Sequence, residues 1–268
     1  MTGMHGAGGV RGQVVVIAKE PVPGRVKTRL TPPFSPAQAA RLAEAALADT
    51  LTAAVQVPAD RHVIALDGTP GSWLPGGCDV IAQRGHGLDQ RIAAAFSDAY
   101  ARLAVPVVLI GMDTPQVTPE LLESAIRPLA EGTADAAFGP ADDGGFWLLG
   151  LRRPDPRLVL GVPMSAADTG AVQLARLLAA GLRVRHLPRC LDVDTAADAV
   201  AVAGQIPKSR FAGVLADFHR CAGVTHSVIV AGSADVAMEG PALVRPYDIV
   251  TGQPAGRAKD GILASFGP

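Results

Sequence analysis

The chain has 268 residues, with 24 Lys and Arg against 25 Asp and Glu and a formal net charge of −1. That balance excludes a global field that would recruit nucleic acid or an anionic membrane, so any anion-binding chemistry must come from a local cluster. Aromatic residues make up only 4%, against the interleaving of aromatic and basic residues on which bases stack, and no run of about 18 apolar residues offers a membrane span.

One α/β domain with a small appendage is expected from the length. Residues 1–12 are Gly-rich and lack the apolar stretch of a signal peptide, so they read as a flexible lead. Cys78, Cys190 and Cys221 are odd in number and far apart. That spacing disfavours a disulfide framework or a structural zinc site and fits an expected cytoplasmic location.

Val14–Ala18 is the first expected strand. It runs into a loop holding Lys19, Pro21, Pro23, Gly24, Arg25, Lys27 and Arg29. Ser35-Pro36-Ala37-Gln38 is a capping box with Pro at the first helical position, opening a helix to about Val55. Strands are expected at His62–Leu66 and Val80–Ala82, a helix at Leu88–Arg102, and a strand at Pro106–Ile110. Thr118-Pro119-Glu120 starts a helix ending near Leu129. Strands at Ala134–Phe138 and Phe146–Leu149 follow, then a helix at Thr169–Ala180 closed by Gly181, and a strand at Arg183–Leu187. Thr195-Ala196-Ala197-Asp198 caps a fifth helix. This alternation predicts a mostly parallel sheet with helices on both faces.

After Gln205 the pattern changes. Phe211, Val214, Leu215 and Phe218 share one helical face within Ser209–Cys221, and Ser227–Val230 could form a further strand. The domain is therefore read as 13–205, and 206–268 as a C-terminal extension whose order the pattern does not define.

Cations at the carboxyl end of a buried strand are how an α/β sheet presents donors to phosphate. Lys19, Arg25, Lys27 and Arg29 are thus candidates for nucleotide phosphate, although a solvated basic loop after a core strand would look the same. The loop is neither a GxxxxGK[ST] nor a GxGxxG motif. Asp113, in IGMDTP, follows the strand expected to end at Ile110, where its carboxylate faces the crevice in which open α/β sheets bind ligands. Asp192 and Asp194, two apart on an extended segment, point to one side, where both carboxylates can reach one cation. Oxygen ligands suit Mg²⁺ or Mn²⁺, which phosphates often share. Each Asp alone is equally well explained by turn or cap chemistry.

In GPADDGGFWLLG, Gly144 and Gly145 allow backbone to approach a substrate, and Asp143 is a candidate base. His86, between Gly85 and Gly87, is a candidate contact to a nucleobase or phosphate, with a polar loop as the bland alternative. Ser165 is a candidate substrate contact. Thr169 or Asp168 is expected to cap the helix that follows, and His62 and His186 are expected to be structural.

AKEPVPGRVKTRL, GLDQRIAAAF, LIGMDTPQVTPELL, AFGPADDGGFWLLGL and LPRCLDVDT occur in this order. Together they resemble the bacterial GT-A-like glycosyltransferases called selenodomain-associated transferase 1, of the nucleotide-diphospho-sugar transferase superfamily, over about Val14 to Val200. More distantly the layout is similar to guanylyltransferases that join GTP to a phospho-hydroxyacid or phosphoenolpyruvate. The resemblance implies a three-layer α/β/α, Rossmann-like GT-A fold. It implies metal-binding aspartates at Asp113, Asp192 and Asp194, and places Lys19 in the nucleotide loop. The chain departs from its relatives in lacking a Gly-Gly-x-Ser-x-Arg-Met type loop. Met164 stands before Ser165 where a Trp is expected, and the tail after Gln205 lies outside the pattern.

Two catalytic functions follow. A glycosyltransferase would take a nucleoside-diphosphate sugar and a small-molecule acceptor, with Asp113 and the Asp192/Asp194 pair on the metal and Asp143 as base. A nucleotidylyltransferase would take an NTP, the four cations stabilising the triphosphate as pyrophosphate leaves. A non-catalytic nucleotide-binding protein is the third reading, disfavoured because like charges held close together are costly without a ligand.

Overall fold

The computed structural model describes residues 9–221. The possible strand at Ser227–Val230 and most of the C-terminal extension lie outside the described residues. Seven strands form one sheet: β1 (Val10–Lys19), β2 (Ala59–Asp67), β3 (Cys78–Ala82), β4 (Val107–Gly111), β5 (Ala136–Pro140), β6 (Phe146–Leu151) and β7 (Val184–His186). The helices are α1 (Pro36–Gln56), α2 (Leu88–Arg102), α3 (Pro119–Glu131), α4 (Thr169–Ala179), α5 (Ala196–Gln205) and α6 (Arg210–Cys221).

The strand order is β3-β2-β1-β4-β6-β5-β7. β6 runs antiparallel to both β4 and β5, and the other neighbouring pairs are parallel. The expected mostly parallel mixed sheet is therefore the observed one. From β1 the chain winds outward to β2 and β3, then returns to lay β4 on the other side of β1. Strand order reverses between β1 and β4, and a crevice outside the carboxyl ends of these two strands is where open α/β sheets bind ligands.

Period-2 alternation along β1 fills both layers. Val14, Val16 and Ala18 join the core beneath α1 and α3, whereas Val15 packs into the opposite core with Ile92 and Phe96 of α2. All these residues are buried, and each fully buried Val or Phe contributes roughly 1.5–3 kcal/mol. β1 begins at Val10, inside the stretch read as a lead. The strand expected from Ala134 begins instead at Ala136, because the Ala134 N–H is used by Pro128 O at the end of α3.

A third cluster, beside the sheet, joins Leu30, Phe34 and Leu42 to Val193, Val202, Phe211, Leu215 and Phe218. It seats α5 and α6 against α1, so residues 206–221 are packed structure. Asp49 of α1 accepts the Phe211 N–H at 2.9 Å, placing a carboxylate at the N-terminus of α6.

The capping boxes at Ser35 and Thr195 are both formed. Thr195→Ala should cost about 1 kcal/mol in denaturant unfolding, a loss that Thr195→Ser should largely avoid; an unchanged midpoint for Thr195→Ala would contradict the box. At α4 the expected side-chain cap is absent. Asp168 occupies the N-cap position without a capping bond. Thr169 Oγ1 instead accepts from Ala166 N (3.1 Å) and donates to Pro163 O (2.8 Å), fastening the loop before the helix.

Candidate active site

At the β1/β4 switch lies a cleft of about 620 Å³. The β1 side supplies Lys19 and the loop that follows. Pro23 and Gly24 form a turn closed by Arg25 N–H to Val22 O, with Gly24 at φ +76°, the left-handed position that glycine occupies without a Cβ penalty. Buried Val26, Leu30 and Phe34 tie the loop to the core. Arg25, Lys27, Thr28 and Arg29 are thereby left along the cleft wall.

Across from it, Met112 and Asp113 follow the end of β4. The segment carrying Asp192 and Asp194 is stitched in by backbone: Val193 N–H donates to Asp113 O at 3.0 Å, Asp142 N–H to Cys190 O, and Gln116 Nε2 to Leu191 O. Val193 is buried, so the residues on either side turn the other way, and both carboxylates line the cleft. The two-residue spacing thus turns both carboxylates to one side of the segment.

Charge on this floor is unevenly paired. Lys27 Nζ lies 2.9 Å from Asp113 Oδ1 and 3.1 Å from Asp194 Oδ1, and Arg29 Nη1 lies 3.3 Å from Asp194 Oδ2. Burial pulls the Lys27 pKa down, but Asp113 and then Asp194 outweigh it and leave the ammonium above the ordinary lysine value. Asp192 has no ion-pair partner among the described residues. Burial, then the charges of Asp113 and Asp143, push its carboxyl up to about 7. The Lys19 and Arg25 side chains have no hydrogen-bond or ion-pair partner among the described residues, so two cations face the cleft uncommitted.

Of the residues singled out in the sequence, Lys19, Arg25, Lys27, Arg29, His86, Asp113, Asp143, Gly145, Ser165, Asp192 and Asp194 all line this one cleft. Gly144 does not; it sits behind the wall, where its carbonyl accepts the Gly170 N–H at 2.8 Å. Asp143 is exposed, and its Oδ1 accepts the Gly145 N–H at 2.8 Å. Ser165 has a left-handed backbone, φ +60°. His86 is exposed at the rim.

Residues 39–166 match the model of a family described as "Uncharacterized protein conserved in bacteria (DUF2064)". That stretch holds Asp113, Asp143 and Ser165, and leaves the basic loop and the Asp192/Asp194 pair outside it. A candidate nucleotide-diphospho-sugar transferase from Desulfovibrio desulfuricans G20 matches in structure with a TM-score of 0.71 and 29% identity, over 78% of this chain and 95% of its own. The chain is similar to the nucleotide-diphospho-sugar transferases. More remote in fold are a CMP:2-keto-3-deoxy-manno-octonic acid synthetase complexed with CTP (TM-score 0.49, 14% identity, 74% and 99% covered) and a mycobacterial protein from strain JC1 (TM-score 0.47, 20% identity, 72% and 97% covered). No protein with a curated description matches the chain.

Several residues that line this cleft carry no signal in the sequence. Gln83 follows β3 and donates to Ala18 O (2.7 Å) and Ala65 O (2.9 Å), tying the ends of β1 and β2 together. Arg91 reaches back from α2 to Asp67 at 2.8 Å and to Gly85 O. Ile17, Ile92, Leu109 and Phe146 add an apolar side, next to the Met164 already noted before Ser165. A strand-end Gln has no spacing signature, and the apolar residues belong to ordinary strand and helix faces.

Among the described residues, no helix is long and apolar enough to cross a membrane.

Proposed function

We propose that the chain is a metal-dependent transferase acting on a nucleotide-activated donor, and specifically a glycosyltransferase that takes a nucleoside-diphosphate sugar. The observation that carries this reading is the juxtaposition, at the β1/β4 switch, of a basic loop and a three-carboxylate floor in one cleft. The likeness to the Desulfovibrio transferase supports it.

Lys19, Arg25 and Arg29 bind the donor's phosphates along one wall, with Lys27 deeper in the same loop. His86 stands at the rim as a further contact. Asp143 is the base or acceptor-positioning residue: one oxygen is fixed by Gly145 N–H and the other is available to a hydroxyl. Ser165 and Gly145 line the acceptor side. Asp113, Asp192 and Asp194 are the residues that would hold Mg²⁺ or Mn²⁺. They fit such an ion in donor type, being all oxygen, and in charge, since after burial the charges of Asp113 and Asp143 each raise the Asp192 pKa by more than Lys27 lowers it. Although no group of three or more His, Cys, Asp or Glu in metal-holding array occurs among the described residues, the Lys27 ammonium itself stands between two of the three carboxylates. When bound, the ion supplies charge neutralisation at the departing diphosphate. A cytoplasmic setting belongs to the same proposal.

One observation favours nucleotidyl transfer as a second reading: four cations in one loop suit a triphosphate better than a diphosphate. A thermal-shift and calorimetric panel of NTPs and nucleoside-diphosphate sugars, each with Mg²⁺, Mn²⁺ or EDTA, separates the readings, because a ligand that binds the fold raises its melting temperature by mass action. Metal-dependent stabilisation by a sugar nucleotide is expected. Stabilisation by one NTP alone would select nucleotidyl transfer. A nucleotide shift indifferent to EDTA, unchanged by Asp113→Asn, would leave a non-catalytic binding protein.

A further inference from the structure

Lys27 differs from the other cations of its loop. Its side chain is only 8% exposed, whereas that of Arg29 is 76% exposed. Its backbone is left-handed, φ 48° and ψ 40°, a region that costs free energy for a residue with a Cβ. The pocket therefore holds Lys27 in an uncommon conformation, from which its ammonium bridges Asp113 at the end of β4 and Asp194 of the D-x-D pair. These are two of the three carboxylates that would take a divalent ion. An ammonium within about 3 Å of both repels a second cation approaching the same oxygens.

We propose that Lys27 is a built-in occupant of the cation position. In the free protein it holds Asp113 and Asp194 together and competes with divalent metal. A polyphosphate entering the basic loop draws the ammonium away from the carboxylates, so nucleotide opens the site to metal and the two bind cooperatively. This rests on the reading that the cleft takes a nucleotide together with a metal. Lys27 is then a counter-ion that exchanges carboxylate partners for phosphate ones, and it keeps the empty floor from trapping a metal ion in unproductive form. The coupling is reciprocal by linkage: nucleotide tightens metal binding by the same factor as metal tightens nucleotide binding.

The test uses the full chain and Mn²⁺ alone, followed by electron paramagnetic resonance of the free ion and by calorimetry. Lys27→Met should raise the Mn²⁺ affinity of the nucleotide-free protein by about ten-fold or more, because one positive charge is removed from beside the ligand oxygens. Lys27→Gln, which keeps N–H donors and similar length, should do the same and guards against misfolding of the Met variant. In EDTA both variants should melt below wild type, and Mn²⁺ should restore them. The cooperativity between Mn²⁺ and the stabilising nucleotide should shrink in both. Equal Mn²⁺ affinity in wild type and both variants, with the nucleotide–metal shift of wild type intact, would overturn the role of Lys27 and leave the proposed function standing. Tighter nucleotide-free binding in neither variant and no metal-dependent nucleotide shift in wild type would remove the metal reading itself, and this inference with it.

Discussion

Asp192→Asn should melt higher than wild type in EDTA at pH 8, and should gain nothing from Mn²⁺ added with nucleotide. Asp192 sits half-buried at the cleft floor, and its carboxyl is pushed from 3.8 to about 7, first by burial and then by Asp113 and Asp143, with Lys27 only partly offsetting them. A carboxyl whose folded pKa lies above its unfolded one binds more proton in the fold between the two values. Stability therefore falls as pH rises from about 4 to about 7. Below about 4 the group is protonated in both states and costs nothing, and above about 7 the full cost is present. The gap corresponds to about 4 kcal/mol at most, and screening by water at the cleft mouth reduces it to about 2 kcal/mol. Asparagine carries no charge to desolvate, so the variant should melt about 4–8 °C above wild type at pH 8. The two should converge near pH 4. A variant less stable than wild type at pH 8, or equally advantaged at pH 4, would show that the floor is not under electrostatic stress. The same substitution removes one of the three carboxylates proposed for the metal, so stability is gained and ligand response lost at one atom, as expected where binding chemistry is kept at the fold's expense.

What could be read ahead of the structure follows from which physical signals are local. Periodicity and caps are local: α2 is observed at Leu88–Arg102 as the pattern predicts, and the boxes at Ser35 and Thr195 form. The D-x-D spacing predicted a common side for Asp192 and Asp194 because extended backbone alternates whatever it packs against. Pairings over long sequence distances left no comparable mark. Nothing in VKTRL announces that Lys27 would bridge Asp113 and Asp194, 86 and 167 residues away. Gln83 ties β1 to β2, and Arg91 ties α2 to the end of β2, through bonds that leave as little mark. The end of the domain was also hard to place. Phe211, Leu215 and Phe218 share a helical face, but their partners Leu30, Phe34 and Leu42 lie 169 to 188 residues earlier, so the face alone does not show that it is covered. Of the two caps expected for α4, Asp168 stands at the N-cap without a capping bond, and Thr169 is the first helical residue, its hydroxyl taken by the Pro163 carbonyl and the Ala166 N–H.

Gly144→Ala should be the most damaging single methyl behind the cleft wall. Gly144 has φ +88°, and a Cβ there would lie 1.9 Å from the Ala167 carbonyl oxygen, a backbone atom that no rotamer change can move. Gly170, whose own Cβ would lie 2.3 Å from Gly145 O, donates its N–H to Gly144 O at 2.8 Å. These two glycines let the Asp142–Gly145 turn and the loop before α4 touch backbone to backbone. The contact sets the spacing between the Asp143 and Ser165 sides of the cleft. An added methyl brings the left-handed penalty of about 1–2 kcal/mol together with an overpacking cost of about 1–3 kcal/mol, about 2–5 kcal/mol in all. Gly161→Ala is the control: its φ is +76°, but no atom lies within 4 Å of its Cβ position, so it carries the backbone penalty without the clash. Denaturant unfolding of the two variants should therefore separate them by at least about 1 kcal/mol. If enough of the Gly144 variant folds to measure, its affinity for the stabilising nucleotide should fall more than that of Gly161→Ala, because only the former moves a wall of the site. Equal stability losses in the two variants would mean that the turn yields without strain, and that Asp143 is held by Gly145 alone.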